Sequence, residues 1–399
     1  MENEKKVGIV SCYFQRNYGS MLQAYATQMA LDRLGYMNET IDVSGFWREI
    51  KRSKIKYFVK ASLTSDILLY KFGMARSVLM KRFLKNKYQS FSAIREQRFD
   101  SFCKEHFRIS EQYPSKRVLA EECADRYFAV VVGSDQLWLP GNIAADYYTL
   151  NFVPQNVNTI AYATSFGQAA LPSDSAQKAS IFLKKIRHIS TREESGQKLI
   201  LKLSGRRVPI VCDPVLLFSG EEWMRIQCPE PLEKDKYILC YFLGKNPACR
   251  RFSGKLKEKT GYKMIVLPHL DEFIKEDEHY GDEKLYDIDP ADFLNLIRNA
   301  EYVCTDSFHC TAFSILYRKK FFTFRRFTEK TRQSTNSRIE SLFHLLALPE
   351  RLLFGGEDVE ECLQQVTNFE EVHEKLELMR KQSFEYLLYA LKDEGNTDL

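Results

Sequence analysis

The chain has 399 residues, of which 44% are hydrophobic, and a formal net charge of +5 at pH 7. That length suits two ordinary domains, and the composition is normal for a globular protein. The charged amino terminus leads into only a short apolar run, Val7–Val10, and no window approaches the ~18 apolar residues of a membrane span. We therefore expect a cytoplasmic protein without a transmembrane segment.

The ten cysteines are scattered along the chain, and neither a C-x-x-C nor an H-E-x-x-H pattern occurs. Both of these absent patterns are typical spacings of zinc ligands. A free thiol in an apolar run behaves as a small hydrophobic side chain. The sequence therefore predicts neither a disulfide framework nor a metal site.

The amino-terminal region predicts a β-α-β unit. A strand over Lys6–Ser11 precedes a loop with Asn17, Tyr18 and Gly19, and a helix over Met21–Leu34 follows. The loop lacks the G-x-G-x-x-G dinucleotide pattern, but its backbone N–H groups could bind an anion at the carboxyl edge of the sheet. The alternative is a plain strand-to-helix turn.

Residues 48–87 are strongly basic, with twelve Lys/Arg and two acids among apolar and aromatic residues. We interpret this segment as part of a basic helical insertion over about residues 48–110. Such a segment could lie on an anionic membrane surface, although many basic runs are only solvated helix faces. No nucleic-acid-binding module accompanies the charge, so a nucleic-acid partner is not expected.

Polar side chains follow a buried strand over residues 127–132. Ser134, Asp135 and Gln136 are placed by that strand at the same sheet edge as Asn17. For Asp135, the alternative role is a cap of the next helix.

Arg192 follows Thr191, one position beyond the end of a later predicted strand, His188–Ser190. A guanidinium there can bind a carboxylate or a phosphate through two parallel hydrogen bonds. Glu193 or Glu194 would be its partner if the role is only structural.

The segment 300–317 predicts a strand, a tight turn and a helix, with Ser307, His309 and Thr311 at or just after the turn. The amino terminus of a helix attracts anions, and histidine titrates near neutral pH. The alternative is that Ser307 only caps the helix and His309 is an ordinary turn residue.

The whole pattern is α/β. It predicts two Rossmann-like halves facing a cleft, with limits at 1–205 and 206–399. The second half carries the anion-binding turn over residues 306–311. A long helix over Phe369–Lys392 is expected to pack back across the halves.

Five stretches in this order resemble the polysaccharide pyruvyl transferase family. They are Asn17–Ala26, Val132–Trp138, Thr191–Gly196, Asp213–Leu217 and Asp306–Cys310. Two features depart from the family pattern: Cys310 stands where the family usually has glycine, and the basic insertion is longer than the family core needs.

The resemblance implies a fold like that of GT-B glycosyltransferases. It also implies transfer of a pyruvyl group from phosphoenolpyruvate to a sugar, giving a ketal, with no further cofactor. His309 matches the family's catalytic histidine. A family lysine that lies about twenty residues later has Lys330 as its nearest candidate, with Arg325, Arg326 and Arg338 as competitors.

Ketal formation needs one acid–base group near neutral pH and cations for a phosphate and a carboxylate. His309 suits the first task, and Arg192 and Arg338 suit the second, while Asp135 would orient His309 or a sugar hydroxyl. This scheme requires no metal. Asp287 and Asp289 mimic a metal-binding D-x-D, but a strand end before a helix cap is the favoured interpretation.

The sequence is also compatible with two other functions. A GT-B nucleotide-sugar glycosyltransferase would use the same helix terminus for its donor diphosphate. A catalytically idle scaffold in a polysaccharide complex would use the basic segment to sit on the membrane. We also expect a lipid-linked oligosaccharide acceptor and a position at the inner face of the cell membrane.

Overall fold

The computed structural model describes residues 5–61, 85–269, 274–326, 336–348 and 351–392. Lys330 and residues 62–84 of the basic segment lie outside the described residues. None of the helices in the described ranges combines the length and the hydropathy of a membrane-spanning segment.

The first half is a parallel sheet in the order β2-β1-β3-β4-β5, flanked by helices. Its strands are β1 Lys6–Val10, β2 Asn38–Thr40, β3 Tyr127–Val132, β4 Asn158–Thr164 and β5 His188–Thr191. Its helices are α1 Tyr18–Arg33, α2 Trp47–Ala61, α3 Lys85–His106, α4 Lys116–Arg126, α5 Pro140–Ala145, α6 Ser173–Lys185 and α7 Glu194–Ser204. The central strands β1, β3 and β4 are almost entirely buried because helices cover both faces of a parallel sheet.

The second half is a parallel sheet in the order β11-β10-β9-β6-β7-β8. Its strands are β6 Tyr237–Tyr241, β7 Lys263–Val266, β8 Glu283–Lys284, β9 Tyr302–Thr305, β10 Lys320–Phe324 and β11 Leu352–Leu353. The helices are α8 Gly220–Trp223, α9 Pro247–Thr260, α10 Pro290–Asn299, α11 Phe308–Leu316, α12 Ser337–Leu345, α13 Val359–Gln364 and α14 Phe369–Lys392. Short 3₁₀ turns cover Pro214–Leu217, Met224–Ile226 and Lys275–Asp277.

The strand order reverses once in each sheet, between β1 and β3 and between β6 and β9. Parallel sheets open a crevice at such a switch point, beyond the carboxyl ends of the strands. The two halves are therefore Rossmann-like, as predicted. The limit between them at residue 205 stays a prediction.

The carboxyl-terminal helix α14 packs back across both halves, as predicted. The side-chain amide of Asn158 in β4 donates to the carbonyl of Ala390 at 2.7 Å, and the Cys212 N–H donates to the Ser383 hydroxyl at 2.9 Å. Nearer its start, the His373 imidazole lies 3.0 Å from the carbonyl of Ile315 in α11.

Helix α1 begins at Tyr18, three residues before the predicted start. The Asn17 side chain causes this, because its oxygen accepts a hydrogen bond from the Ser20 N–H at 3.2 Å and caps the helix. Tyr18 and Gly19 thus belong to the first helical turn rather than to a loop.

Candidate active site

A cavity of about 430 Å³ lies where the two switch points face each other. From the first half it is lined by Gln15, Arg16, Asn17, Ser20, Asp135 and Gln136. From the second half it is lined by Leu243, Ser307, Phe308, His309, Arg326 and Arg338. Three arginines and an imidazole face a single carboxylate, so the cavity suits an anionic ligand.

His309 is the second residue of α11 and lies on this cavity although it is buried. Its Nε2 is 3.8 Å from the nearer Asp213 oxygen and has no hydrogen-bond partner among the described residues. Burial lowers the pKa of His309 from its ordinary value near 6.5, against the opposing effect of Asp213. The free protein therefore presents a neutral imidazole at pH 7, with one nitrogen available to a ligand.

Gly19 leaves the space that the His309 imidazole occupies. A Cβ at this position would lie 2.0 Å from Nδ1 of His309 and 2.8 Å from its Cβ, so only glycine leaves room. The first turn of α1 and the first turn of α11 thus meet at one point. The predicted role of Gly19 in an anion-binding loop becomes, in the structure, close contact with the histidine.

Arg192 stands behind the cavity wall rather than on it. Its guanidinium pairs with Asp213 and, at 3.1 Å, with Asp135. The partners are thus neither Glu193 nor Glu194. Glu193 instead accepts a hydrogen bond from Ser165 at 2.7 Å.

Asp135 is held in its ionised form by this network. Burial alone would raise the pKa of its carboxyl, but Arg192, His309, Arg338 and the Ser20 hydroxyl together outweigh burial and hold the pKa well below the usual range. The Ser20 hydroxyl donates to the second carboxylate oxygen at 2.8 Å. Asp135 is therefore a permanent hydrogen-bond acceptor and does not cap the next helix, whose N-cap is Leu139.

Arg338 is the most weakly neutralised cation on the cavity. Burial and the charge of Arg192 lower the pKa of Arg338 to about 10, so the guanidinium is still protonated at pH 7. Its contact with Asp135 is long, at 3.9 Å. When the Gln136 amide is turned with its oxygen inward, that oxygen accepts from Arg338 at 2.7 Å. An anion entering the cavity would relieve the electrostatic cost of this buried charge.

Arg326 is, beside Arg338, the other guanidinium that the second half contributes to the cavity. It donates to the backbone carbonyl of Asp306 at 2.9 Å, and its guanidinium lies 3.4 Å from that residue's carboxylate. The same carboxylate accepts from the N–H groups of Leu243 and Gly244 at 2.7 Å each, which fixes the loop after β6.

Several predicted site residues have structural partners. Ser307 lines the cavity and also caps α11, accepting from the Cys310 N–H at 3.4 Å. Thr311 is buried one turn further along, bonded to the Ser307 carbonyl at 2.9 Å and to Thr323 at 2.8 Å. Ser134 is buried and donates to the Ala163 carbonyl at 2.7 Å.

Two predicted residues lie away from the cavity. Tyr18 is in the core, where its ring stacks on Phe293 with centroids 4.5 Å apart. Arg325 pairs with Glu340 and lies over the ring of Phe354, 4.9 Å from its centroid. The cavity therefore brings together His309, Asp135, Asn17, Gln136, Ser307 and Arg338 from the predicted set.

Asp213 is the functional candidate that sequence reasoning gave no role. Its carboxylate is fully buried between Arg192 and His309. A signal existed, since Asp213 interrupts the apolar run 208–217, and carboxylates are rarely buried unless paired. Ser20, Gln15 and Arg16 were also missed as lining residues.

The D-x-D stretch has a structural role. Asp289 caps α10 in a reciprocal capping box with Asp292 and pairs with Arg98 at 2.7 Å. Within the described parts of the chain, no group of three or more His, Cys, Asp or Glu residues could hold a metal ion.

Fold and site together define an α/β protein with two Rossmann-like halves and a cation-lined cavity between them. The model of the polysaccharide pyruvyl transferase family matches residues 17–326, which is most of the chain. The chain therefore belongs to the polysaccharide pyruvyl transferase family, a family of transferases that act in polysaccharide modification.

Solved structures give distant likenesses. The UDP-N-acetylglucosamine 2-epimerase from Rickettsia bellii superposes with a TM-score of 0.49 at 10% identity, covering 98% of both chains. The UDP-GlcNAc 2-epimerase from Neisseria meningitidis gives 0.48 at 13% identity, over 97% of this chain and 100% of the other. The glycosyltransferase SnogD from Streptomyces nogalater gives 0.39 at 10% identity, over 98% and 99%. No curated protein sequence matches the chain.

Proposed function

We propose that this protein transfers the enolpyruvyl group of phosphoenolpyruvate to a sugar of a cell-surface polysaccharide precursor, forming a pyruvate ketal. Family membership supports a transferase of this kind. The observation that carries the proposal is the neutral imidazole of His309, with its Nε2 unpartnered among the described residues, on the same cavity as Arg326 and Arg338.

The cations of the cavity suit the donor. Phosphoenolpyruvate carries a phosphate and a carboxylate, and guanidinium groups bind both through charge-assisted hydrogen bonds. Arg338 and Arg326 supply such groups, and the amino terminus of α11 adds the positive end of the helix dipole.

His309 handles the protons in this proposal. Binding of the donor anion raises the imidazole pKa, so His309 takes up a proton and delivers it to the terminal methylene carbon of the donor. An acceptor hydroxyl oxygen bonds to the adjacent carbon and returns its proton to His309. The bond to phosphate then breaks, a second hydroxyl adds to that carbon, and its proton leaves with the phosphate.

The carboxylate and guanidinium behind the imidazole have supporting roles. Asp135 is held ionised, so it accepts a hydrogen bond from the acceptor hydroxyl and orients it rather than removing its proton. Arg192 is a positioning residue in this proposal, because its guanidinium contacts Asp135 and Asp213.

Thermal stability with donor candidates tests the donor assignment. Phosphoenolpyruvate at a hundred times its Kd should stabilise the folded protein by about 2.7 kcal/mol and raise Tm, while UDP- and GDP-sugars should leave Tm unchanged. The reverse pattern would assign the cavity to a nucleotide-sugar glycosyltransferase. Unaltered polysaccharide modification in cells carrying His309→Ala would instead point to an idle scaffold.

We further propose that the acceptor is lipid-linked and that the protein works at the inner face of the membrane. The outward face of α2 supports this: Arg48, Arg52 and Lys56 alternate there with Ile55 and Val59, which are 52% and 60% exposed. Basic residues interleaved with exposed apolar side chains favour contact with an anionic lipid surface.

A further inference from the structure

A second cavity, of about 270 Å³, adjoins the first. The two share Gln15, Asp135 and Gln136. The far side of the second cavity is built by the inward face of α2, with Lys54 and Phe58, and by α5 and the loop before it. Its volume is close to the lower end of the ~300–1,000 Å³ range of small-molecule sites.

The lining of the second cavity has the mixed character that a sugar ring needs. Gln136 and Asn142 offer amide groups and Asp135 a carboxylate, while Phe58 offers an aromatic face. Phe58 is 44% exposed, and its ring lies so close to Gly141 that a Cβ there would be 3.2 Å from it. Amides and carboxylates bind hydroxyl groups, and an aromatic ring covers apolar C–H surface.

Lys54 adds a half-buried positive charge to this lining. No carboxylate of the described residues is among the groups that shift the pKa of this ammonium, which lies 5.6 Å from the ring centroid of Trp47. Burial lowers the pKa of Lys54. An anionic group within hydrogen-bond distance would compensate the lost hydration of the ammonium.

The shared wall constrains where a reaction could occur. Bond formation requires the reacting atoms to lie about 3–3.5 Å apart before they react. A donor in the first cavity and an acceptor in the second can meet only along the edge that carries Asp135 and Gln136, and His309 lines the donor side of that edge.

We propose that the second cavity is the acceptor subsite: the reacting sugar hydroxyl lies on Asp135, the ring lies against Phe58, and Lys54 binds an anionic group of the acceptor. That group is either a sugar carboxylate or a phosphate of the lipid carrier. The assignment deepens the proposed function and rests on it. It gives the inserted helix α2 two faces with different tasks, one toward the membrane and one toward the acceptor.

Acceptor kinetics of Lys54→Gln and Phe58→Ala test the assignment. The probes are phosphoenolpyruvate and the lipid-linked oligosaccharide fraction from cells of the source organism that lack this protein. Each substitution should raise the half-saturating concentration of that fraction about tenfold, and shift the KM for phosphoenolpyruvate less than about twofold. The matched control is Lys202→Gln, on the exposed end of α7, which should leave both constants unchanged.

Treating the acceptor separates the two sources of negative charge. If Lys54 binds the carrier phosphate, releasing the oligosaccharide with mild acid should abolish the difference between the wild type and Lys54→Gln. If it binds a sugar carboxylate, reduction of the carboxyl groups should do so.

The assignment of the subsite is overturned if neither substitution changes the half-saturating acceptor concentration. It is also overturned if the KM for phosphoenolpyruvate rises as much as the half-saturating acceptor concentration. The anion assignment is overturned if the difference survives both treatments. A wild-type Tm that phosphoenolpyruvate does not raise would instead defeat the proposed function, which distinguishes the two failures.

Discussion

At the scale of single residues, the site depends on a contact between two halves that are distant in sequence. His309 belongs to the second half, and the glycine that admits its imidazole belongs to the first. The imidazole is fixed on one side by that contact and faces Asp213 on the other, at 3.8 Å. Displacing a reacting group by about 1 Å can lower the reaction rate about 10²-fold.

Gly19→Ala is therefore predicted to reduce the rate of pyruvyl transfer about 10²-fold or more, because the new methyl group would overlap the His309 imidazole and displace it. The measurement is kcat with saturating phosphoenolpyruvate and lipid-linked oligosaccharide. Gly254→Ala is the matched control, since a Cβ there meets nothing within 4 Å and the position lies inside α9. It should keep full activity and gain about 0.5–1 kcal/mol of stability. Equal activity of both variants would contradict this account of Gly19.

The sequence indicated which residues follow the carboxyl ends of the strands, but not the direction in which each side chain points. Asp135 and His309 follow strand ends and do line the cavity. Tyr18 is in the same stretch as Asn17, yet its ring lies in the core because an apolar surface on α10 accepts it. The Arg192–Asp213 pair joins the residue after β5 to the segment before the 3₁₀ turn at Pro214, and local patterns do not say which two residues pair.

At the scale of elements, the alternation of strands and helices was readable because buried parallel strands give continuous apolar runs. The limits were harder to predict, since a single side chain can move them. The Asn17 side chain starts α1 at Tyr18, and the Ser307 side chain similarly caps α11. The strand order came only from the structure, although the family resemblance and the β/α alternation implied the two-sheet fold.

Helix α2 carries the prediction that belongs to this scale. Arg48→Glu with Arg52→Glu should reduce binding to vesicles containing anionic lipid about tenfold or more, because each basic residue near such a surface contributes about 1 kcal/mol. Co-sedimentation with phosphatidylglycerol vesicles measures it. The matched control is the double variant Lys198→Glu with Lys202→Glu on α7, which has the same four-residue spacing and the same change in charge. It should have little effect on vesicle binding. Equal losses in the two double variants, or none in either, would show that α2 is not the membrane contact.

At the scale of the whole molecule, the chain places two switch points opposite each other and holds them with one long helix. The carbonyl of Ala390 in α14 accepts from the Asn158 side chain of β4, in the first half, at 2.7 Å, and the same helix reaches α11 of the second half through His373. A cavity built from both sheets can form only when the halves are held in this relation. The chemistry therefore belongs to the assembled molecule and not to either half.

Product analysis of the reaction tests the central claim most directly. The wild type, phosphoenolpyruvate and the lipid-linked oligosaccharide fraction should yield an oligosaccharide heavier by one pyruvyl group, with release of phosphate. His309→Gln should still gain thermal stability from phosphoenolpyruvate but lose about 10²–10⁴-fold in rate, because proton transfer contributes an acceleration of that size. Undiminished pyruvyl transfer by His309→Gln, or sugar transfer from a nucleotide-sugar by the wild type, would contradict the account.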